Sequence, residues 1–189
     1  MYKPRYVPVG VDQVPHVELT REVARRFNHL FGPVFLAPEA KLTAIPKVPG
    51  TDGRKMSKSY DNAIYLADLP EVTVPKVKTM VTDPARKRRS DPGNPEVCPV
   101  FDLHRIFTPE AERAEAAHGC RTAGIGCLDC KGILLRHLMP PLDAIRERRS
   151  AVVAAGPGKI REILEAGSTT ARQTARETLT AAKSAVGIA

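Results

Sequence analysis

Apolar positions fall into a strand-like run only near the start of this chain and into helical spacing over most of the remainder. Residues 5–10, Arg-Tyr-Val-Pro-Val-Gly, predict a short buried strand that Pro8 places at an end or a sheet edge. A helix over Val14–Phe31 follows, with Val17, Val23, Ala24, Phe27, Leu30 and Phe31 on one stripe and Arg21, Glu22, Arg25 and Arg26 on the wet side. Asp12 suits its N-cap, and Pro15 is tolerable in the first turn, where an N–H lacks an intrahelical partner. Strand, glycine turn and helix make half of a βαβ unit, and ligands in open α/β sheets collect at the carboxyl ends of strands, where Asp12 and Gln13 stand. The alternative for this pair is a cap at Asp12 and a solvated Gln13.

Between Gly32 and Gly50 the short apolar pieces 34–36 and 42–45 predict a connection and a short strand. After a polar stretch at Tyr60-Asp61-Asn62, the apolar run 63–66 returns to the interior. Thr73-Val74-Pro75 predicts a helix start, with the helix ending near Val81. Pro and Gly mark 84–95 as a loop, and helices follow around 103–107 and 109–118. From Leu128 to the end the spacing is helical, with Ile133, Leu134, Leu138 and Leu142 apolar. A break or sharp kink is expected at Met139-Pro140-Pro141, a stop at Gly156-Pro157-Gly158, and two last helices over 159–166 and 169–186 separated by Gly167-Ser168. The fold class is therefore α/β at the start and all-helical beyond residue 75, with no internal repeat.

The chemistry is concentrated in Gly53-Arg54-Lys55-Met56-Ser57-Lys58-Ser59. Two cations three residues apart, behind Gly50 and Gly53, can close over a polyphosphate and neutralise charge that builds on a leaving group. Hydroxyls and backbone N–H groups add donors for phosphate oxygens. Composition alone would allow a solvated surface loop, but the ordered string is specific. Lys-Met-Ser-Lys-Ser resembles the signature loop of class I aminoacyl-tRNA synthetases. That resemblance implies ATP-dependent amino-acid activation, with ATP and Mg2+ bound and with Lys55 and Lys58 on the triphosphate and its departing pyrophosphate.

Gly10-Val11-Asp12-Gln13, continued by His16-x-Glu18-Leu19-Thr20-Arg21-Glu22, resembles the Gly-x-Asp-Gln segment and following helix of the tryptophanyl-tRNA synthetases. The resemblance implies that Asp12 and Gln13 contact the ribose and the tryptophan head group, with Gly10 permitting close approach. It also implies an ATP site of Gly10, Val11, Asp12, Lys55, Met56, Ser57, Lys58 and Ser59. Ile45 is an adenine contact by loose analogy or an ordinary core aliphatic, and His16 is read as a helix-surface residue rather than a tRNA contact.

A formal net charge of +8 and a pI near 9.5 suit a polyanionic partner such as nucleic acid. Arg86-Lys87-Arg88-Arg89 could meet RNA phosphates or be a solvated basic turn. Neither a membrane-crossing apolar run nor a signal-peptide pattern is found, so a cytoplasmic setting is the default. In that compartment Cys98, Cys120, Cys127 and Cys130, spaced C-x21-C-x6-C-x2-C, are expected to be metal ligands rather than disulfides. Gly124 and Gly126 would let the backbone curl so that several sulfurs face one point. Four thiolates suit tetrahedral zinc or an iron–sulfur cluster, and the three-plus-one grouping leans towards the cluster.

A subset of bacterial tryptophanyl-tRNA synthetases carries a 4Fe-4S cluster with nearly this spacing, so the resemblance implies a mainly structural cluster, zinc being the alternative. It implies the C-terminal part of a Rossmann-like class I synthetase catalytic domain over 1–75, followed by an all-helical anticodon-binding domain over 76–189. The implied partners are tRNA(Trp), tryptophan and ATP, and the implied assembly is a homodimer. The His-x-Gly-His-type motif and the strand bearing the indole-recognising acid are not found in this sequence. A poor active site for the chain by itself is therefore expected, from a truncated product or a gene model begun at an internal Met. A non-catalytic iron–sulfur module that binds tRNA is the contrasting expectation.

Overall fold

The computed structural model describes residues 1–42 and 47–188. The chain divides into two units, one of residues 1–46 with 152–189 and one of residues 47–151.

In the first unit, β1 (Tyr6–Val9) and β2 (Glu39–Leu42) pair in parallel, with Tyr6 opposite Glu39 and Val9 opposite Leu42. The helix α1 (Val14–Phe31) is the crossover between them, completing a βαβ unit. Its limits match the expected ones, but its start differs in detail. Residues Val11–Gln13 form a single 3-10 turn, which moves the N-cap one residue past Asp12 to Gln13, whose side chain makes no cap hydrogen bond. Val17 and Ala24 are buried, whereas Val23 and Leu30 are exposed. At about 100° per residue these two lie at the trailing edge of the stripe.

Residues 34–36 are not a strand, because Asn28 takes their backbone groups. Its Oδ1 accepts from the N–H groups of Val34 (3.0 Å) and Phe35 (2.9 Å), and its Nδ2 donates to the Phe35 carbonyl at 2.7 Å. The Phe35 ring then stands edge-on to Phe27, with centroids 4.8 Å apart. The strand lies further on, at β2, and the remainder of the expected 42–45 piece, with Ile45, lies outside the described residues.

The helix α6 (Gly156–Val186) also belongs to this unit and runs through Gly167-Ser168 without the expected break. Glycine inside a helix costs only about 1 kcal/mol relative to alanine. The hydroxyls of Thr169 and Thr170 donate back to the carbonyls of Glu165 (2.8 Å) and Ala166 (3.2 Å), so the polar run joins the helix instead of ending it.

The second unit carries a hairpin at its start and then α2 (Pro70–Thr79), α3 (Pro99–Phe107), α4 (Glu110–Arg121) and most of α5 (Cys127–Ala154). Its core is Val77, Met80, Val100, Leu103, Leu134, Leu138 and Leu142, with Ile64, Cys98, Phe107 and Leu135 packed against it. The expected start of α2 at Thr73 is corrected to Pro70. Leu69 is the N-cap, and its carbonyl accepts from the N–H groups of Val72 and Thr73. Thr73 is buried inside the helix, and Pro75 stands within it. The helix α5 likewise passes through Pro140 and Pro141 without a break, and Leu134, Leu138 and Leu142 bury one stripe on both sides of the prolines.

Lys131 on α5 is buried and closes the far end of α2, donating to the carbonyls of Lys78 (2.8 Å) and Met80 (2.5 Å). The near end is held by Asp68. Its Oδ2 accepts from Lys76 Nζ at 2.7 Å and from the Tyr65 N–H at 3.0 Å, and its carbonyl accepts from Arg146 at 2.7 Å. Burial alone would raise the Asp68 carboxyl; the Lys76 ammonium and the Tyr65 N–H outweigh burial and hold it below the ordinary 3.8. A depressed carboxylate stabilises the fold above its unfolded pKa and loses that contribution as pH falls through the folded value. Asp68→Asn is therefore expected to cost about 1–2 kcal/mol at neutral pH, with the deficit shrinking as pH drops below 3.8. Urea unfolding of both proteins across that range checks it. Among the described residues, no helix is long and apolar enough to cross a membrane.

Candidate functional site

The lysine string is built on a hairpin. The Gly50 N–H donates to the Arg54 carbonyl (2.7 Å) and the Met56 N–H to the Val48 carbonyl (3.0 Å), while Pro49 and Lys55 pair as an antiparallel bridge. Gly53 sits near the tip with φ +81°, in the left-handed region that a side chain disfavours. Gly50 answers a different need: a Cβ there would lie 2.3 Å from Asn62 Nδ2. Gly50 thus admits a brace instead of loosening the loop.

Lys55 lies on the returning arm and Lys58 opens a 3-10 turn, Lys58–Tyr60, capped by the Ser57 Oγ, which accepts from the Ser59 N–H at 3.2 Å. Asp61, at φ 51°, ends the turn. Lys55, Lys58 and Ser59 are exposed, and Met56 and Ser57 half-buried. Asp52 binds the Arg54 guanidinium at 2.6 Å, and Arg54 stacks over the Tyr60 ring at 4.5 Å. Donation from Asn62, followed by the Arg54 contacts, holds the Asp52 carboxyl below its ordinary range against the opposing effect of burial. Two exposed cations on a braced backbone can neutralise a polyphosphate with only their side chains left to order.

Gly10, Val11, Asp12 and Gln13 stand at the carboxyl end of β1 in the first unit. Gln13 Nε2 donates to Asp12 Oδ2 at 3.2 Å, and the Gln13 N–H donates to the Gly10 carbonyl at 3.0 Å. Gly10 itself is extended, with φ −71°. Beside them opens a largely apolar cavity of about 560 Å³. Gln13 and His16 line it together with Val9, Val17, Phe35 and Leu36. His16, expected on the helix surface, is exposed and also borders this cavity.

In the second unit, Cys98 caps α3, Cys120 lies in the last turn of α4, and Cys127 and Cys130 lie in the first turn of α5. The left-handed residue of the intervening turn is Ala123 (φ 57°), whereas Gly124 and Gly126 have no positive φ. A Cβ on Gly126 would meet only the tip of the exposed Asp129 carboxylate, Oδ2 at 2.8 Å, which can turn aside. The expected curl at these two glycines is thus corrected to one at Ala123. A Cβ on Gly93 would meet the Cys120 Sγ at 2.7 Å.

Burial, and then the neighbouring Cys98, Cys120 and Cys127, push the Cys130 thiol up to about 12. Burial also raises Cys120, opposed by the Arg86 guanidinium, whose Nη1 lies 3.8 Å from its sulfur. Arg86 is turned inward and donates to the carbonyls of Ile125 (2.6 Å) and Arg89 (3.0 Å). The other three cations of that run are exposed, and Arg89 pairs with Asp129 at 3.3 Å. His104 is fully buried between Thr108 Oγ1 (2.8 Å) and Cys130 Sγ (3.3 Å), and burial lowers its pKa to about 4, so the ring is neutral at physiological pH. Cys98, Cys120 and Cys127 thus lie near enough to act on the Cys130 thiol, yet no three His, Cys, Asp or Glu side chains among the described residues form a group that could hold a metal ion.

Asn62, Asp52, Arg86 and Lys131 carry roles here that sequence reasoning missed. For Asp52 a signal existed: Asp in Gly-Thr-Asp-Gly is a turn former.

The chain is similar over its whole length to the tryptophan–tRNA ligase of Aquifex aeolicus, 47% identical over 189 residues that make up 100% of this chain and 48% of that protein. It is 46% identical over 189 residues to that of Thermotoga maritima, with 100% of this chain and 57% of that protein covered. The tryptophanyl-tRNA synthetase of Campylobacter jejuni complexed with ADP and tryptophan superposes with a TM-score of 0.74 at 32% identity, covering 98% of this chain and 58% of that one. The chain spans about half the length of the relatives it matches. The family of tRNA synthetases class I (W and Y) matches residues 1–137, which include the Gly-x-Asp-Gln turn, the lysine hairpin and all four cysteines, and the chain belongs to that family.

Proposed function

We propose that this chain serves a tryptophan–tRNA ligase, which activates tryptophan with ATP and Mg2+ to the adenylate and transfers it to tRNA(Trp). The observation that carries this reading is the braced hairpin that presents Lys55 and Lys58 to solvent. Identity of 46–47% to two tryptophan–tRNA ligases supports tryptophan over tyrosine. In this reading Lys55 and Lys58 take the triphosphate, with donors from Ser57 and Ser59, while Gly10, Val11, Asp12 and Gln13 serve the ribose and the tryptophan head group. Residues 1–75 act as part of the catalytic domain and 76–189 as the anticodon-binding domain, in a cytoplasmic homodimer. ATP–pyrophosphate exchange by the protein as it occurs in the cell tests the reading. Exchange that depends on tryptophan and not on tyrosine is expected, and exchange indifferent to tryptophan would overturn it.

The same proposal assigns Cys98, Cys120, Cys127 and Cys130 to a 4Fe-4S cluster that shapes the tRNA-facing surface. Support comes from the donor chemistry of four neighbouring thiols and from the buried Arg86 guanidinium, which suits an anionic thiolate centre. The described side chains form no group able to hold a metal, so loading would require them to draw together. Anaerobically purified protein is expected to be brown, with iron and acid-labile sulfide, and Cys130→Ser to lose both. Colourless protein with stoichiometric zinc would replace the cluster by zinc.

A further inference from the structure

Behind the lysine hairpin stands Asn62, which is 2% exposed. Its Nδ2 donates to Asp52 Oδ1 at 2.7 Å and to the Lys55 carbonyl at 3.2 Å. Its Oδ1 accepts from the Ser57 N–H at 2.8 Å, and its own carbonyl accepts from the Thr51 N–H at 2.9 Å. One amide therefore clamps the backbone on both sides of Met56, the segment joining the two cations, and ties it to the outgoing arm through Asp52. The fit leaves little freedom, because the Gly50 hydrogen faces the same amide where a Cβ would stand only 2.3 Å away. An amide is suited to this place, since it offers two donors and an acceptor, whereas a carboxylate offers acceptors only and would confront Asp52.

We infer that Asn62 is the positioning residue of the lysine hairpin: it sets where the Lys55 and Lys58 ammonium groups stand when charge develops on the phosphates, without touching substrate itself. The inference rests on the function proposed above. Misplacing a stabilising group by about 1 Å can cost on the order of 100-fold in rate. In the protein as it occurs in the cell, Asn62→Ala is accordingly expected to slow adenylate formation about 100-fold in kcat, with KM for tryptophan changed by less than about 3-fold. Asn62→Asp keeps the packing and removes the two donors, so it is expected to do the same and remains readable if the alanine variant does not fold.

A residue that acts only through the lysines loses its effect once they are gone. In a background of Lys55→Ala with Lys58→Ala, followed by single-turnover adenylate formation, the added Asn62 change is expected to cost less than about 3-fold. The same loss of about 100-fold in both backgrounds would make Asn62 merely structural and overturn the inference, as would an unchanged rate in both Asn62 variants. If the lysine variants slow the reaction and the Asn62 variants do not, this inference alone fails. If the lysine variants leave the rate unchanged, the proposed function fails and takes this inference with it.

Discussion

Replacing Lys58 by alanine is expected to slow tryptophan-dependent ATP–pyrophosphate exchange by about three orders of magnitude, equivalent to about 4 kcal/mol of transition-state stabilisation. The reason is the timing of charge. As the bond to the α-phosphorus breaks, negative charge moves onto the departing pyrophosphate, and an ammonium already in place stabilises that charge more than it stabilises bound ATP. The loss should therefore appear in kcat, with KM for tryptophan little changed. Lys58 begins a turn whose backbone is fixed by the Ser57 cap and the Asn62 clamp, so truncating its side chain removes the cation and leaves the support intact. Lys58→Arg is expected to recover only part of the rate, because a planar guanidinium spreads the charge that the ammonium concentrates. Exchange at the parental rate with both Lys55 and Lys58 replaced would end the assignment of the hairpin to the phosphates.

Leu134→Ala is expected to cost about 3–4 kcal/mol of stability, read as a lower urea midpoint with an unchanged slope. Leu134 is fully buried at the centre of the second unit, among Val77, Met80, Val100, Leu103, Leu138 and Leu142. Alanine there removes transfer free energy and leaves a cavity beside Lys131, whose bonds to the carbonyls at the end of α2 hold this stretch of α5 in place. Leu128→Ala on the same helix, at a position 66% exposed, is expected to fall within about 0.5 kcal/mol of the parent. Equal effects at the two positions would contradict the assigned core.

These contrasts show which parts of the molecule could be read from residues alone. The helix α1 was legible because a long apolar stripe has one period to satisfy, and the position of β1 because a short apolar run ends at glycine, although the strand expected to be buried is exposed or half-buried throughout. The breaks expected at Pro140-Pro141 and Gly167-Ser168 did not occur, for opposite reasons. Buried leucines on both sides carry α5 through its prolines, while exposed α6 has only a modest propensity cost to meet at its glycine. The lysine string was legible because its order is specific, but Asn62 was not. A single asparagine has no periodicity, and its four hydrogen bonds reach residues 5 to 11 positions away that only the hairpin brings to it. Lys131 was hidden by the company it keeps: in so basic a chain a lysine reads as solvated, and nothing local marks the two helix-end carbonyls it closes.

The paired prolines of α5 have a mechanical consequence. Without amide hydrogens, residues 140 and 141 cannot bind the carbonyls of Arg136 and His137, so two successive rungs of the backbone ladder are missing. At that point the helix is a spliced rod, continuous in outline but hinged in its bonding, with leucine packing as the sleeve over the joint. Resistance to bending at that joint therefore falls to the buried leucines rather than to the backbone.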